Sequence, residues 1–398
     1  MAAPIRFIHC SDLHLGSRFV GLSEYDPELG KRLARSTYQA LDNIVSKANN
    51  EDVDFVIFSG DVFDSVQATP YARKYFRDSL EKIEVPCYIA YGNHDYERMW
   101  EKSIPLPENA HVFGGTPERF YYPPDSNDPQ VEIIGVSYEE RAVHRDLCAE
   151  IKGNPRLFTI GVVHCEVNGP PDSNYAPTKL NELMFRAVDY WALGHVHNNQ
   201  VLSTEPYVVY PGNIQGRNPS ESGPKGAYLV TVSDMKVLKL EFFETHEVLW
   251  QDIDVVIDSK MDLSDFIDEI DDRKEEDALL RIMVTGSGPL NNELRLNTYE
   301  IKDMIQTQTQ CWCTGLIIDT KPDFDLSERA QVGDFISEII NQGMRISSLN
   351  ASELIDMICN THASSYIRDE FENMDVEELR QIAKDAMELV VERMVGGD

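Results

Sequence analysis

The stretch Ile89–Arg98, IAYGNHDYER, puts an amide, an imidazole and a carboxylate in a row, straight after an apolar run that reads as a buried strand. Gly92-Asn93 is good turn chemistry, which accounts for the backbone there but not for His94 and Asp95. Moving outward, the arrangement repeats. Ile5–Cys10 is followed by SDLH, with Asp12 and His14. Phe55–Phe58 is followed by SGDVFD, with Asp61 and Asp64. Phe158–Val163 runs into His164, and Tyr190–Leu193 is followed by GHVH, with His195 and His197. In open α/β sheets ligands bind beyond the carboxyl ends of strands, and five strands here deliver Asp, Asn or His to such ends. Taken singly each is ordinary: Asp after Ser or Gly is turn chemistry, and an Asp placed like Asp12 or Asp61 often caps a helix. Repetition decides the matter, because five of the ten histidines in the chain fall in these clusters.

The donor types narrow the chemistry. Carboxylates, imidazoles and an amide oxygen, with no thiolate, favour Mn²⁺, Fe²⁺ or Zn²⁺ over copper or iron–sulfur. The donors are too many for one tetrahedral zinc. Two ions sharing a bridging carboxylate fit better, and such pairs clamp the attacking and leaving oxygens of a phosphoryl displacement. On this reading Asn93 holds a metal and His94 works on a phosphate.

The remaining pattern is α/β over the first 245 residues. Further strands are expected at Tyr207–Tyr210, Ala227–Val232 and Val237–Phe243, and helices at Lys31–Ala48 and Tyr71–Lys82. The pattern restarts after Glu244–Asp252. Residues 250–322 read as a small α/β domain, with strands at Ile253–Ile257, Leu279–Thr285 and Cys311–Asp319. Residues 325–398 read as wholly helical, with apolar stripes such as Phe335, Ile336, Ile339 and Ile340. At 398 residues two or three domains are expected.

Net charge is −32 and uneven. Residues 1–250 carry 23 Lys+Arg against 35 Asp+Glu, a net of −12, and residues 251–398 carry 13 against 33, a net of −20. An acidic body repels polyanions, so handling nucleic acid requires cations, a local basic strip or a partner. No run approaches the ~20 apolar residues of a membrane helix. The opening MAAPIRFIHCSD lacks the pattern of a signal peptide. Seven scattered cysteines suit reduced thiols. A cytoplasmic protein without membrane attachment is expected.

DLH, GDVFD, GNHD, the isolated His164 and GHVH, in this order, resemble the calcineurin-type metallophosphoesterases. DLHLG at 12–16, GDVFD at 60–64, YPGNIQGR at 210–217 and GPKGAYLVTV at 223–232 are similar to the SbcD/YhaO DNA repair exonucleases, prokaryotic relatives of the eukaryotic meiotic-recombination nuclease. The resemblance spans residues 5–232. It implies a two-sheet sandwich flanked by helices, followed by the small α/β cap that grips substrate and the helical C-terminal region, a docking segment for an ATPase. It implies two metal ions, usually manganese: Asp12, His14, Asp61 and His197 for the first, Asp61, Asn93, His164 and His195 for the second, with Asp61 bridging. It implies that His94 protonates the leaving 3′-oxygen or stabilises the charged transition state, with Asp95 orienting it. The implied partners are DNA and an SbcC-type SMC-like ABC ATPase, in a homodimer that is nucleoid-associated when acting.

Two departures stand out. Asp64 occupies a position that is His in some branches, and the stretch Asp252–Asp277 is markedly acidic for a DNA-gripping element. Arg18, Lys31, Arg32 and Arg35, with Arg217 and Lys225, are the candidates for phosphate contacts. The leading expectation is a metal-dependent DNA exonuclease, with endonuclease activity as an extension. A small-substrate metallophosphatase or cyclic-nucleotide phosphodiesterase is the same-fold alternative, and a non-catalytic scaffold of an ATPase complex is the alternative from another class.

Overall fold

The computed structural model describes residues 3–17, 27–65, 68–124, 126–321, 326–359, 368 and 371–395. Two units divide the chain, Met1–Asp252 with Asp277–Leu279, and Ile253–Glu276 with Leu280–Asp398.

The first unit is built on two six-stranded sheets. One is assembled from β1 (Ile5–Cys10), β2 (Phe55–Ser59), β3 (Cys87–Ala90), β4 (Ala110–Val112), β11 (Gly226–Ser233) and β12 (Lys236–Glu244), in the order β12-β11-β1-β2-β3-β4. The other uses β5 (Glu118–Tyr122), β6 (Val131–Val136), β7 (Phe158–His164), β8 (Tyr190–Gly194), β9 (Gln200–Thr204) and β10 (Tyr207–Tyr210), in the order β5-β6-β7-β8-β10-β9. Strands β1, β2 and β3 run parallel, as do β6, β7 and β8. Apart from Arg6 of β1, these central strands are buried along their length, as parallel strands covered on both faces must be.

Phe7, Phe55, Ile57 and Tyr88 of the first sheet pack against Ile133, Ile160, Val162 and Tyr190 of the second, which makes the pair a sandwich. Phe7 stacks on Phe55 at 5.1 Å between ring centres and meets Tyr190 edge-on at 5.3 Å. The outer face of the first sheet is covered by α1 (Pro27–Asn50) and α2 (Pro70–Lys82), through Leu41, Ile44, Val45, Phe76 and Leu80. Thr69 caps α2 by accepting from Ala72 N, with Pro70 opening the helix. The outer face of the second sheet carries loops and the single turn α3 (Leu180–Leu183), around Trp191, Tyr138 and Tyr210.

The second unit holds a three-stranded sheet, β13 (Trp250–Ile257), β14 (Leu279–Ser287) and β15 (Trp312–Lys321). With it are α4 (Leu263–Arg273), closed by a capping box between Asp262 and Asp265, α5 (Leu290–Leu296) and α6 (Thr298–Thr309). The chain ends in α7 (Leu326–Arg329), α8 (Phe335–Ser347), α9 (Ala351–Cys359) and α10 (Val376–Val395). There Ile340 of α8 packs on Met387 and Val391 of α10. Phe335, Ile339, Ile346, Leu354, Met357, Ile382 and Val390 are among the residues lining an apolar groove of about 530 Å³. Among the described residues no helix is long and apolar enough to cross a membrane.

Candidate metal centre

The donor side chains gather where the parallel strands of both sheets end. Asp12 and His14 follow β1, Asp61 follows β2, Asn93 and His94 follow β3, His164 closes β7, and His195 and His197 follow β8. Beyond their strands the first two loops remain zipped: Asp12 N donates to Gly60 O, His14 N to Asp61 O and Leu15 N to Val62 O, all at 2.9–3.0 Å. The second sheet joins through His164, whose Nδ1 lies 3.1 Å from Ser59 O at the end of β2.

This convergence bends the backbone out of its ordinary range. Asp12 (φ +51°), His14 (+44°), Asp61 (+50°) and His195 (+111°) all have positive φ, which is uncommon for residues other than glycine and concentrates at functional sites. Gly60 (φ +103°) and Gly92 supply the room: a Cβ on either would collide with the His164 ring, and one on Gly92 would also run into the Asp61 carboxylate.

Two groups of donors result, Asp12–His14–His197 and Asp12–Asp61–His164, each with ligand atoms within 4.8 Å of one another. In the first, His14 Nε2 and His197 Nε2 face each other at 3.2 Å, and Asp12 Oδ1 lies 4.0 and 3.8 Å from them. In the second, His164 Nε2 lies 3.4 Å from Asp61 Oδ2 and 3.1 Å from Asn93 Oδ1. The carboxylate common to both groups is Asp12, where Asp61 was expected. Asp61 belongs to the second group and also accepts from His94 N at 3.0 Å. His195 falls in neither group, but its ring stands 5.3 Å from that of His164 and its backbone N–H donates to the Asp12 carboxylate.

The residues fit divalent cations. Asp12 and Asp61 are buried, and among the described residues neither pairs with Lys or Arg; their ion-pair contacts are to histidines alone. Buried carboxylates in that state call for a cation, and the donors are the imidazoles, carboxylates and amide oxygen that suit Mn²⁺, Fe²⁺ or Zn²⁺. Burial, assisted by the Arg217 guanidinium, holds His14 well below the usual imidazole range. Burial likewise lowers His195 to about 4. Both rings are therefore neutral, the ligating form. At His164 burial also acts downward, but the Asp61 carboxylate outweighs it and lifts the ring to about 10, so a cation held here takes the place of that proton.

His94 stands beside these donors, its ring 5.2 Å from that of His14. Its Nδ1 lies 2.6 Å from the backbone oxygen of Asp64. Asp95 does not make the expected contact. Its carboxylate closes back on its own turn, accepting from Gly92 N at 2.6 Å and from Val62 N. Burial, with the Asp61 charge adding, pushes Asp95 up to about 7. The partner of His94 is thus a main-chain carbonyl, which leaves no trace in residue type.

Arg217, expected at the substrate, lies within an internal ion-pair chain with Asp64 and Glu221. Lys225 is buried and donates to His197 O and Asn198 Oδ1. Arg32 pairs with Glu247 and Asp277, and Lys31 with Glu28. Arg18 lies outside the described residues. Two neighbours of the centre were not anticipated. Glu221 Oε1 lies 2.7 Å from His197 Nδ1. Tyr175, 37% exposed, covers His195 with 4.5 Å between ring centres. Glu221 sits four residues past Arg217 at the end of the short 3-10 helix Pro219–Glu221, and Tyr175 in a Pro-rich loop, and neither has a spacing that betrays its place.

Residues 5–199 match the calcineurin-like phosphoesterase family. The chain is similar to the uncharacterized metallophosphoesterase YhaO of Bacillus subtilis (strain 168), with 32% identity over 302 residues, 73% of this chain and 74% of that protein. It is 26% identical over 280 residues to the SbcD subunit of the nuclease SbcCD of Escherichia coli (strain K12), covering 60% of this chain and 67% of that one. With the DNA double-strand break repair protein Mre11 of Thermoplasma acidophilum it shares 24% over 247 residues, 58% and 63% of the two chains.

Proposed function

The chain belongs to the calcineurin-like phosphoesterase family, and from that premise we propose that it is a two-metal DNA nuclease, exonucleolytic in the first place, acting in double-strand break repair. The observation that carries the reading is the pair of donor groups meeting at Asp12, with His94 beside them and in neither. Asp12, His14 and His197 hold one ion, and Asp61, Asn93, His164 and His195 the other, with Asp12 and Asp61 the carboxylates available to both. When bound, such ions, manganese first among them, polarise a phosphoryl oxygen and acidify a water. The protein's own contribution is positional and protonic. The Nδ1–H of His94 donates to Asp64 O, so its Nε2 is the atom that exchanges a proton with the leaving oxygen.

DNA as substrate is supported by the relatives named as a nuclease and as a DNA double-strand break repair protein. On this reading residues 250–322 form the substrate-gripping cap, and residues 325–398 dock an SMC-like ABC ATPase. The working form is a cytoplasmic, nucleoid-associated homodimer. Since the body is strongly acidic, metal ions and the ATPase partner supply the positive field that DNA requires.

The test is hydrolysis by the purified full chain with Mn²⁺, using labelled single- and double-stranded DNA beside p-nitrophenyl phosphate esters and cyclic nucleotides. Metal-dependent DNA cleavage is expected. Turnover of the small esters alone would replace the nuclease with a small-substrate phosphoesterase, and no turnover of any substrate would leave a scaffold.

A further inference from the structure

Arg217 lies between two carboxylates, and each carboxylate lies behind a histidine of the first donor group. Nη1 of Arg217 donates to Asp64 Oδ1 at 2.8 Å, and Nη2 to Glu221 Oε1 at 3.2 Å. Glu221 Oε1 is 2.7 Å from His197 Nδ1, and Asp64 Oδ1 is 3.6 Å from His14 Nδ1. On the far side of the same two rings the Nε2 atoms meet at 3.2 Å. Each imidazole therefore turns one nitrogen toward the metal position; behind it the His197 ring is hydrogen-bonded to Glu221, whereas His14 Nδ1 makes no hydrogen bond and has Asp64 at ion-pair distance, and a single guanidinium ties the two carboxylates together. Asp64 adds a third link, since its carbonyl oxygen takes the Nδ1–H of His94.

The chain of contacts is anchored at both ends. Ser17 Oγ donates to Asp64 Oδ1 at 2.7 Å. Glu221 Oε2 accepts from Asn213 Nδ2 and from Arg217 N, both at 2.8 Å. The Arg217 side chain is only 17% exposed, and both terminal nitrogens of its fork already donate within the protein. A partner of a metal-bound histidine fixes its tautomer and ring orientation, and the planar arginine fork fixes two such partners at once.

We propose that Arg217 is a positioning residue of the metal centre: by holding Asp64 and Glu221 behind His14 and His197, it aligns the first ion's imidazoles, and through the Asp64 carbonyl it aligns His94. This rests on the two-ion reading above and assigns Arg217 no contact with substrate. Removing the guanidinium takes from Asp64 and Glu221 the cation they share and loosens the carboxylates behind both rings, though Ser17 and Asn213 still hold one each.

The test is Mn²⁺ titration of the chelator-stripped full chain by calorimetry, with the fold followed by circular dichroism and DNA binding followed against salt. Wild type takes two ions. Arg217→Met keeps one ion at unaltered affinity and weakens the other roughly 10- to 100-fold, the range for lost partners of metal ligands. Arg217→Lys, a point charge without the fork, weakens the same ion by less. Glu221→Gln weakens that ion too, and the Arg217→Met/Glu221→Gln double variant loses less than the two single losses combined. An Arg217→Met protein that binds both ions as wild type does, while its DNA affinity falls and its salt slope drops by about one, would overturn the proposal and make Arg217 a phosphate contact. If Arg217→Met does not fold, Glu221→Gln decides alone, and an unchanged first site refutes the proposal. Wild type that takes up no Mn²⁺ would remove the two-ion reading itself.

Discussion

His94 Nδ1 lies 2.6 Å from the main-chain oxygen of Asp64, and that contact requires a proton on Nδ1. A carbonyl accepts only, so Nδ1 is the donor and Nε2 remains for chemistry. His94→Gln is accordingly expected to lower kcat by about 10²–10⁴ with both Mn²⁺ ions retained, as read by metal analysis beside turnover. Loss of an ion in this variant would place His94 among the ligands instead.

Asp95 has a different fate. Its carboxylate takes two buried amides, from Gly92 and Val62, and an orphaned buried donor costs about 1–3 kcal/mol. Asp95→Ala orphans both and should therefore lower the unfolding free energy by about 2–6 kcal/mol, read from urea denaturation, with kcat of the metal-loaded protein changed less than about tenfold, well short of the loss expected for an acid–base residue.

Gly92 is a sensitive position for substitution. A methyl group there enters the space of the Asp61 carboxylate and comes within 2.9 Å of the His164 ring. Gly92→Ala should weaken Mn²⁺ binding more than tenfold, about the lower bound for disturbed ligand orientation. Wild-type affinity in calorimetry would show that the turn relaxes without moving either ligand.

His9 contributes to the pH dependence of stability, beside the buried His14 and His195. It lies between the sheets with Nδ1 3.0 Å from Tyr190 Oη and Nε2 2.9 Å from Ser59 Oγ, and burial lowers it to about 3. The unfolded chain takes up a proton near pH 6.5 that the folded chain refuses until about 3. The stability is thus complete above 6.5 and is lost as pH falls toward 3, with a slope of up to about 1.4 kcal/mol per pH unit. Replacing His9 with Gln should flatten that part of the denaturation profile, and an unchanged slope would assign it elsewhere.

Metal removal should destabilise the protein. Ligand excess of about 100-fold over Kd stabilises by about 2.7 kcal/mol per site, and here the ions also neutralise buried Asp12 and Asp61. EDTA is expected to lower Tm, and Mn²⁺ in excess to restore it. A melting curve indifferent to both would deny that the folded chain binds the ions.

Much of the centre was legible because each donor sits at a strand end, and strand ends announce themselves by the change from apolar runs to Gly, Asp and Asn. Contacts made by the backbone were not legible. The Asp64 carbonyl behind His94 and the turn closed by Asp95 depend on chain direction after β2 and β3, which residue identity does not encode. Glu221 and Arg217 meet His197 through a loop. Strands β5 and β9 lack the apolar signature because they are sheet edges: Glu118–Tyr122 and Gln200–Thr204 are exposed or half-buried throughout, with no fully buried position. β6 was hidden by Glu132, a buried carboxylate in an otherwise apolar strand that is paired with Arg119. The helix α5 lies in a polar stretch, LNNELRL, whose amphipathic period is too short to read.

Four of the seven donors hang from the first sheet and three from the second. What separates the two sets is the aromatic layer in which Phe7 lies flat on Phe55 and against the edge of Tyr190. That layer acts as a spacer. Shaving a ring from it is expected to alter the gap that the cations must bridge, so that the oily interior of this sandwich would tune how tightly its mouth holds charge.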